Sequence, residues 1–271
     1  MFDSVPHSFF TLAAGIFGAA CGSFFHVCVW RIPREESIVF PGSHCPQCGN
    51  RIAWYDNIPL LSYLFLLGAC RQCQARIPLR YPIYELMTAL LFMGIVHHCQ
   101  NVSTALLYLF LVSILIVANG IDWDHQYIPD IFSIPMIPLS LIAAAAAQWG
   151  GLFPSALVRD LTHSLLGVAV GGGVIWSIRF IGSWVFQQEA MGFGDVKLMA
   201  FLGGFLGWDI SLLCIFLAAF IGSIAGLGLK LSGRIGKYGH IPFGPYLAFG
   251  AYICLLYGPE IVLWYAQPFA Y

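Results

Sequence analysis

Eight apolar stretches run through this chain, at roughly 8–30, 81–98, 103–122, 131–149, 161–186, 195–207, 210–230 and 241–266. Most reach the roughly 18–24 residues with which a helix crosses the hydrocarbon of a bilayer. In that medium backbone N–H and C=O groups find no water, so these segments must satisfy one another as helices. Composition agrees, because 59% hydrophobic residues, 15% aromatics and 9% charged residues do not describe a soluble globule. The predicted class is an all-α membrane protein with about eight transmembrane helices. The sixth stretch is short and Gly-rich, and its boundary with the seventh, at Gly207-Trp208-Asp209, is the least defined. The first stretch is too long, and too poor in Lys and Arg before it, for a cleaved signal peptide.

Charge orients the bundle. Arg31, Arg34, Arg51, Arg71, Arg76 and Arg80 lie in the polar segment 31–80, and Lys230, Arg234 and Lys237 lie in 230–240. Arg179 and Lys197 flank the connection at 187–194. With eight spans and the N-terminus outside, all of these fall on the cytosolic side and Arg159 alone falls outside, as the positive-inside rule prefers. The same topology brings the end of the third span and the start of the sixth to the cytosolic face.

Those two places carry acids. The chain has 12 basic and 13 acidic residues among 271, so a carboxylate at the edge of an apolar span calls for a reason. Ionisable groups within spans point to function. Asp122 follows the apolar run Ser113–Ile121, with Asp124 and Asp130 in the Pro129-containing turn beyond it. Asp195 follows Gly192-Phe193-Gly194 and precedes Lys197. Taken singly, Asp124 and Asp130 read as polar turn residues and Asp195 as a helix cap. Taken together, Asp122 and Asp195 suggest an aspartyl dyad. Gly192 and Gly194 would let an extended backbone approach closely.

The 31–80 segment is the one sizeable soluble insert. Cys45 and Cys48, then 21 residues, then Cys70 and Cys73 form two CxxC knuckles that resemble a four-thiolate zinc site. A reducing cytosol disfavours disulfides there, and a small insert with few core residues needs a staple. Thiol-rich turns without metal, or a redox CxxC, are the competing readings. Cys21, Cys28, Cys99, Cys214 and Cys254 read as packing residues within or beside spans.

In order along nearly the whole chain, these motifs resemble the type IV prepilin peptidases, membrane aspartyl proteases of type IV pilus and type II secretion systems. The resemblance is carried by Gly22-Ser23-Phe24 through Arg31-Ile32-Pro33, by the two knuckles flanking Trp54–Tyr63, and by Arg80-Tyr81-Pro82 with Glu85. It continues through Asp122–Asp130, Glu189–Lys197 with its GxGD signature, and Pro242-Phe243-Gly244-Pro245. His26 departs from the family's usual Asn. The resemblance implies Asp122 and Asp195 as catalytic, with Gly192, Gly194, Lys197, Asp124 and Asp130 supporting. Asp122 is chosen over Asp124 because it stands seven residues before Pro129, as the first acid does in the related preflagellin branch.

The resemblance further implies three segments: a first span at 1–30, a cytosolic four-cysteine zinc-binding, methyltransferase-associated domain at 31–80, and a polytopic peptidase domain at 81–271. Implied cofactors are zinc and S-adenosylmethionine, the methyl donor, whose site no Gly-rich nucleotide fingerprint marks. Implied partners are type IV prepilins or pseudopilins and the lipid bilayer, with no nucleic acid, in the bacterial inner membrane. A proton-coupled transporter would also use intramembrane carboxylates but predicts inverted repeats, and no convincing halves are visible. A membrane thiol oxidoreductase would place its CxxC pairs on the oxidising side, against the charge distribution.

Overall fold

A computed structural model of the chain describes residues 6–158, 160–189, 191–232 and 242–266. The chain start at 1–5 and Arg159, Arg234 and Lys237, used above to orient the bundle, lie outside the described residues. The described residues fold as α1 (His7–Arg31), α2 (Leu61–Phe65), α3 (Arg80–His98), α4 (Val102–His125), α5 (Met136–Gly150), α6 (Leu161–Phe186), α7 (Phe193–Leu206), α8 (Trp208–Leu231) and α9 (Gly244–Ala266). Among them no β-strand forms; only isolated bridges join His44 to Arg51 and Ala69 to Arg76. Each expected apolar stretch is a helix, and the molecule is a multi-pass helical membrane protein.

Among the described residues, six segments are long and apolar enough to cross a membrane, containing α1, α4, α5, α6, α8 and α9. The expected spans at 81–98 and 195–207 differ from these. Helix α3 carries Arg80 and Glu85 near one end and His97 and His98 at the other. Helix α7 has 14 residues, which rise only about 21 Å against a hydrocarbon thickness of about 30 Å. Nearly all of α7 is buried, including Leu198, Met199, Phe201, Leu202 and Leu206, so protein rather than lipid surrounds it. Its end is set by Gly207, the single residue before α8, at φ +83°. A Cβ there would stand 2.5 Å from His163 Nε2, so both backbone and space require glycine.

The residues through Gln100 form one compact unit and those from Asn101 form another. In the first, α1 lies directly on α3. A Cβ at Gly22 would stand 2.6 Å from the Tyr84 carbonyl oxygen and 2.9 Å from Glu85 Cα, so the two backbones touch. His26, the position that departs from the family, is buried with its ring centroid 4.1 Å from that of Tyr81 and 5.2 Å from that of Tyr84. In the second unit, α6 and α7 meet in the same manner at Gly167 and Gly203, where each glycine faces the other's carbonyl. The Ser164 hydroxyl also donates to the Gly204 carbonyl at 2.8 Å.

Gly22→Val is expected to destabilise the first unit by about 1–3 kcal/mol, because a backbone carbonyl cannot yield to the new side chain. A thermal melt in detergent, compared with a variant at the exposed Ile16, measures it.

Candidate active site and metal centre

Helix α4 runs on through His125 and ends at Gln126 in the left-handed region. The acids expected beyond the helix, in a turn, are therefore partly within its last turn. At about 100° per residue, Asp122 and Asp124 point some 200° apart. Asp122 is buried, at 6% exposure, while Asp124 lies on the exposed side. Ile128, in the loop that follows, is buried again.

Helix α7 begins at Phe193, two residues before the expected start at Asp195. Gly192 is its N-cap and Gly194 already lies in its first turn. Asp195 is thus two positions past the first helical residue and makes no capping hydrogen bond, so the cap reading does not apply. Its side chain is buried, at 7% exposure. Gly194 allows a close approach, but to this chain's own loop, where a Cβ would stand 3.1 Å from Ile128 Cβ. Gly192 is more open, its nearest side-chain atom being Asp195 Oδ2 at 3.8 Å.

Two further contacts hold the start of α7. The Lys197 ammonium pairs with the Asp130 carboxylate, tying α7 to the loop after α4. Arg179 of α6 donates from Nε to the Met191 carbonyl at 3.0 Å and pairs with Glu189 at 3.3 Å, fixing the approach to Gly192. Asp122, Asp130, Ile128, Gly194, Asp195 and Lys197 thus belong to one neighbourhood, and Asp124 faces away from it.

Asp122 and Asp195 stand close enough for their charges to act on each other. The start of α9 completes the site: the Gly244 N–H donates to the Asp122 carboxyl. A Cβ on Gly244 would lie 2.6 Å from Asp122 Oδ2 and 2.9 Å from Asn119 Oδ1, so only glycine fits against these oxygens. Among the described residues, Asp122 Oδ2, Asp195 Oδ1 and Asn119 Oδ1 are buried acceptors that face no donor. Two adjacent carboxylates resist joint ionisation, and an acceptor cluster of this kind suits a water molecule and a polar backbone. Sequence reasoning gave no role to Asn119 or Gly244. The signal for Asn119 was its place one turn before Asp122, where it reads as an ordinary polar residue in a helix.

The cysteines of the insert converge as their spacing predicts. The Sγ atoms of Cys45, Cys48, Cys70 and Cys73 lie within 4.8 Å of one another, with Cys45 and Cys73 at 3.8 Å. That edge suits four sulfurs about 2.3 Å from a tetrahedral zinc and is far beyond disulfide bonding. The two knuckles repeat each other 25 residues apart. The Cys45 N–H donates to the Asn50 carbonyl at 2.9 Å and the Cys70 N–H to the Ala75 carbonyl at 2.8 Å. Gly49 and Gln74 turn the chain at φ +70° and +59°. Backbone N–H groups of Cys48 and Gln47 aimed at its sulfur hold the Cys45 thiol down to about 6, the thiolate form that a metal needs. These residues fit zinc, which as a structural ion would supply only cross-linking.

Fold and site together define a helical membrane protein with a buried pair of carboxylates and a four-cysteine cluster able to hold a metal ion. Its sequence matches the model of the bacterial peptidase A24 N-terminal domain over residues 16–99 and that of the type IV leader peptidase family over residues 109–227. A prepilin leader peptidase/N-methyltransferase of Pseudomonas aeruginosa is 37% identical, over 95% of this chain and 94% of its own length. One of the same name from Aeromonas hydrophila is 34% identical, over 98% of this chain and 96% of its own. A type 4 prepilin-like proteins leader peptide-processing enzyme of Escherichia coli is 38% identical, over 92% of this chain and 94% of its own. No solved structure matches. The chain belongs to the type IV leader peptidase family.

The purified protein is expected to carry about one zinc per chain by elemental analysis, and the Cys45→Ser, Cys48→Ser double variant to carry none. An unchanged content in that variant would leave the knuckles as metal-free turns.

Proposed function

We propose that this protein is a membrane aspartyl endopeptidase that removes the short basic leader of type IV prepilins and pseudopilins, cutting after the Gly that ends the leader. It then N-methylates the new N-terminal residue with S-adenosylmethionine. The observation that carries the peptidase reading is the meeting of Asp122 and Asp195, two buried carboxylates on separate helices, in a member of this family.

The pair shares one proton. The ionised carboxylate takes a proton from water, whose oxygen bonds to the scissile carbonyl carbon. The protonated carboxyl donates to the carbonyl oxygen and recovers that proton as the tetrahedral intermediate collapses, while the acid that took water's proton passes it to the leaving nitrogen, so neither acid can do the work alone. Gly244 holds Asp122 by a backbone N–H, while Lys197 and Asp130 fix the start of α7 and with it Asp195. Water and the leader reach the dyad from the cytosol, on the side that the basic residues assign, and the substrate's hydrophobic helix remains in the inner membrane.

Zinc on Cys45, Cys48, Cys70 and Cys73 keeps the 31–80 insert folded. Methyl transfer is assigned to the part of the chain that carries this insert. The adenosyl donor supplies the methyl group. Among the described residues there is no strand, hence no strand–turn–helix cradle, so side chains in another arrangement must hold the donor.

Asp122→Asn and Asp195→Asn are each expected to abolish leader removal from a prepilin while membrane insertion is unchanged, and Asp124→Asn to lose much less. Gel and mass-spectrometric assays of cleavage decide it; near-normal cleavage by Asp122→Asn would sink the dyad.

The Cys70→Ser, Cys73→Ser variant is expected to lose methyl transfer to precleaved pilin more than it loses cleavage of prepilin, because metal loss unfolds small thiolate-clamped modules. Equal loss of both would make the insert part of the protease.

A further inference from the structure

Asn119 lies on α4 one turn before Asp122, on the same face of the helix, and is nine-tenths buried. Its Nδ2 donates to the Leu115 carbonyl at 2.7 Å. The reverse orientation would set two acceptor oxygens face to face, so the amide is fixed with Oδ1 turned away from its own helix. That oxygen faces no donor among the described residues. It looks toward the space where a Cβ on Gly244 would stand, the same spot that Asp122 Oδ2 faces. With Asp195 Oδ1, three buried acceptors lie in and beside the dyad and no donor among the described residues serves them.

An arrangement of acceptors alone is costly unless something brings donors, and in peptide hydrolysis that something is the attacking water. A water has two O–H groups. One must point at the carboxylate that takes its proton; the other is free to be held by a neutral acceptor, which orients the oxygen lone pair toward the carbonyl carbon. A carboxylate in that second role would add a second negative charge to the site, whereas an amide oxygen adds none.

We infer that Asn119 is a further catalytic residue, whose Oδ1 accepts a hydrogen bond from the lytic water and orients it for attack. This rests on the dyad reading above. In the step, the water gives one proton to the ionised member of the dyad and its oxygen bonds to the scissile carbon. Asn119 neither gains nor loses a proton. Its hydrogen bond to the water is made as the water is bound and persists on the new hydroxyl, so its effect falls on turnover rather than on substrate binding.

The test compares two residues of nearly identical shape. In Asn119→Thr the hydroxyl can donate to the Leu115 carbonyl, as Ser113 does to Leu109 at 2.7 Å and Thr88 to Tyr84 at 2.8 Å, and its lone pairs remain for the water. In Asn119→Val both are lost. With full-length protein in detergent and a purified prepilin, Asn119→Thr should stay within about fivefold of the parent in kcat. Asn119→Val should fall about 10- to 100-fold below the threonine variant, with KM within twofold and the same melting temperature. Equal kcat in the two variants, or a loss confined to KM, would overturn the inference. If β-branching unfolds both, the pair Asn119→Ser and Asn119→Ala reads the same difference without added bulk, and equal kcat there overturns it as well. Asp122→Asn and Asp195→Asn in the same assay separate the two readings. Cleavage by these would remove the dyad itself, whereas their inactivity beside equal threonine and valine variants would remove Asn119 alone.

Discussion

Helix α7 is the element on which the second unit depends, because it is buried along most of its length and too short to serve as a lipid-facing span. Between helices in a bilayer there is little hydrophobic driving force, since lipid tails are as apolar as leucine. What holds α7 is close backbone contact: Gly203 against Gly167 of α6, and Gly204 beside Ser140 of α5 and under the Ser164 hydroxyl. Small residues at these positions let the helices approach until carbonyls meet carbons, and dispersion over many such contacts replaces the missing solvent term. Asp195 is buried as a consequence. It stands in the first turn of a helix whose whole length the neighbours enclose.

Burial then dictates the rest of the site. The loop after α4 must come close to Gly194, because any bulk there would push Ile128 away and open the dyad to water. The same demand appears on the other side, where Gly244 brings a backbone N–H to Asp122. Lys197 and Asp130 add a partly exposed ion pair at the rim. Such pairs are worth little energetically, and its use here is to fix register between two segments rather than to stabilise the fold.

Much of this was legible in the sequence. Apolar length set the helices to within a few residues because the signal is local and the medium enforces it. The cysteine knuckles were readable for the same reason, each being a tight turn closed within six residues. The choice of Asp122 over Asp124 came from resemblance, and the helical phase supplies its physical basis, since α4 continues past both. What stayed hidden depends on contacts distant in sequence. A buried, truncated α7 resembles a weak span until its neighbours are known. Nothing local marks Leu60 as held at φ +60° and ψ −49°, with the Leu61 N–H bonded to the Pro59 carbonyl at 2.7 Å. That tight turn persists because the buried Glu85 carboxylate accepts the Leu60 N–H at 2.7 Å from 25 residues away.

The acceptors around Asp122 follow the same logic in reverse. A buried acceptor without a donor costs about 1–3 kcal/mol, and a stable fold keeps such atoms few. Here three occur together, on two helices that both pack against a third. Random imperfection would scatter such atoms through the core; apart from Thr104 Oγ1, they gather at the dyad. The cost is tolerable because the surrounding helices over-determine the geometry. On the proposed function, it is recovered when water and a peptide bond bring their own N–H and O–H groups. A site built in this manner binds its reactants through what it lacks, and its oxygens need little rearrangement when charge develops on the scissile carbonyl.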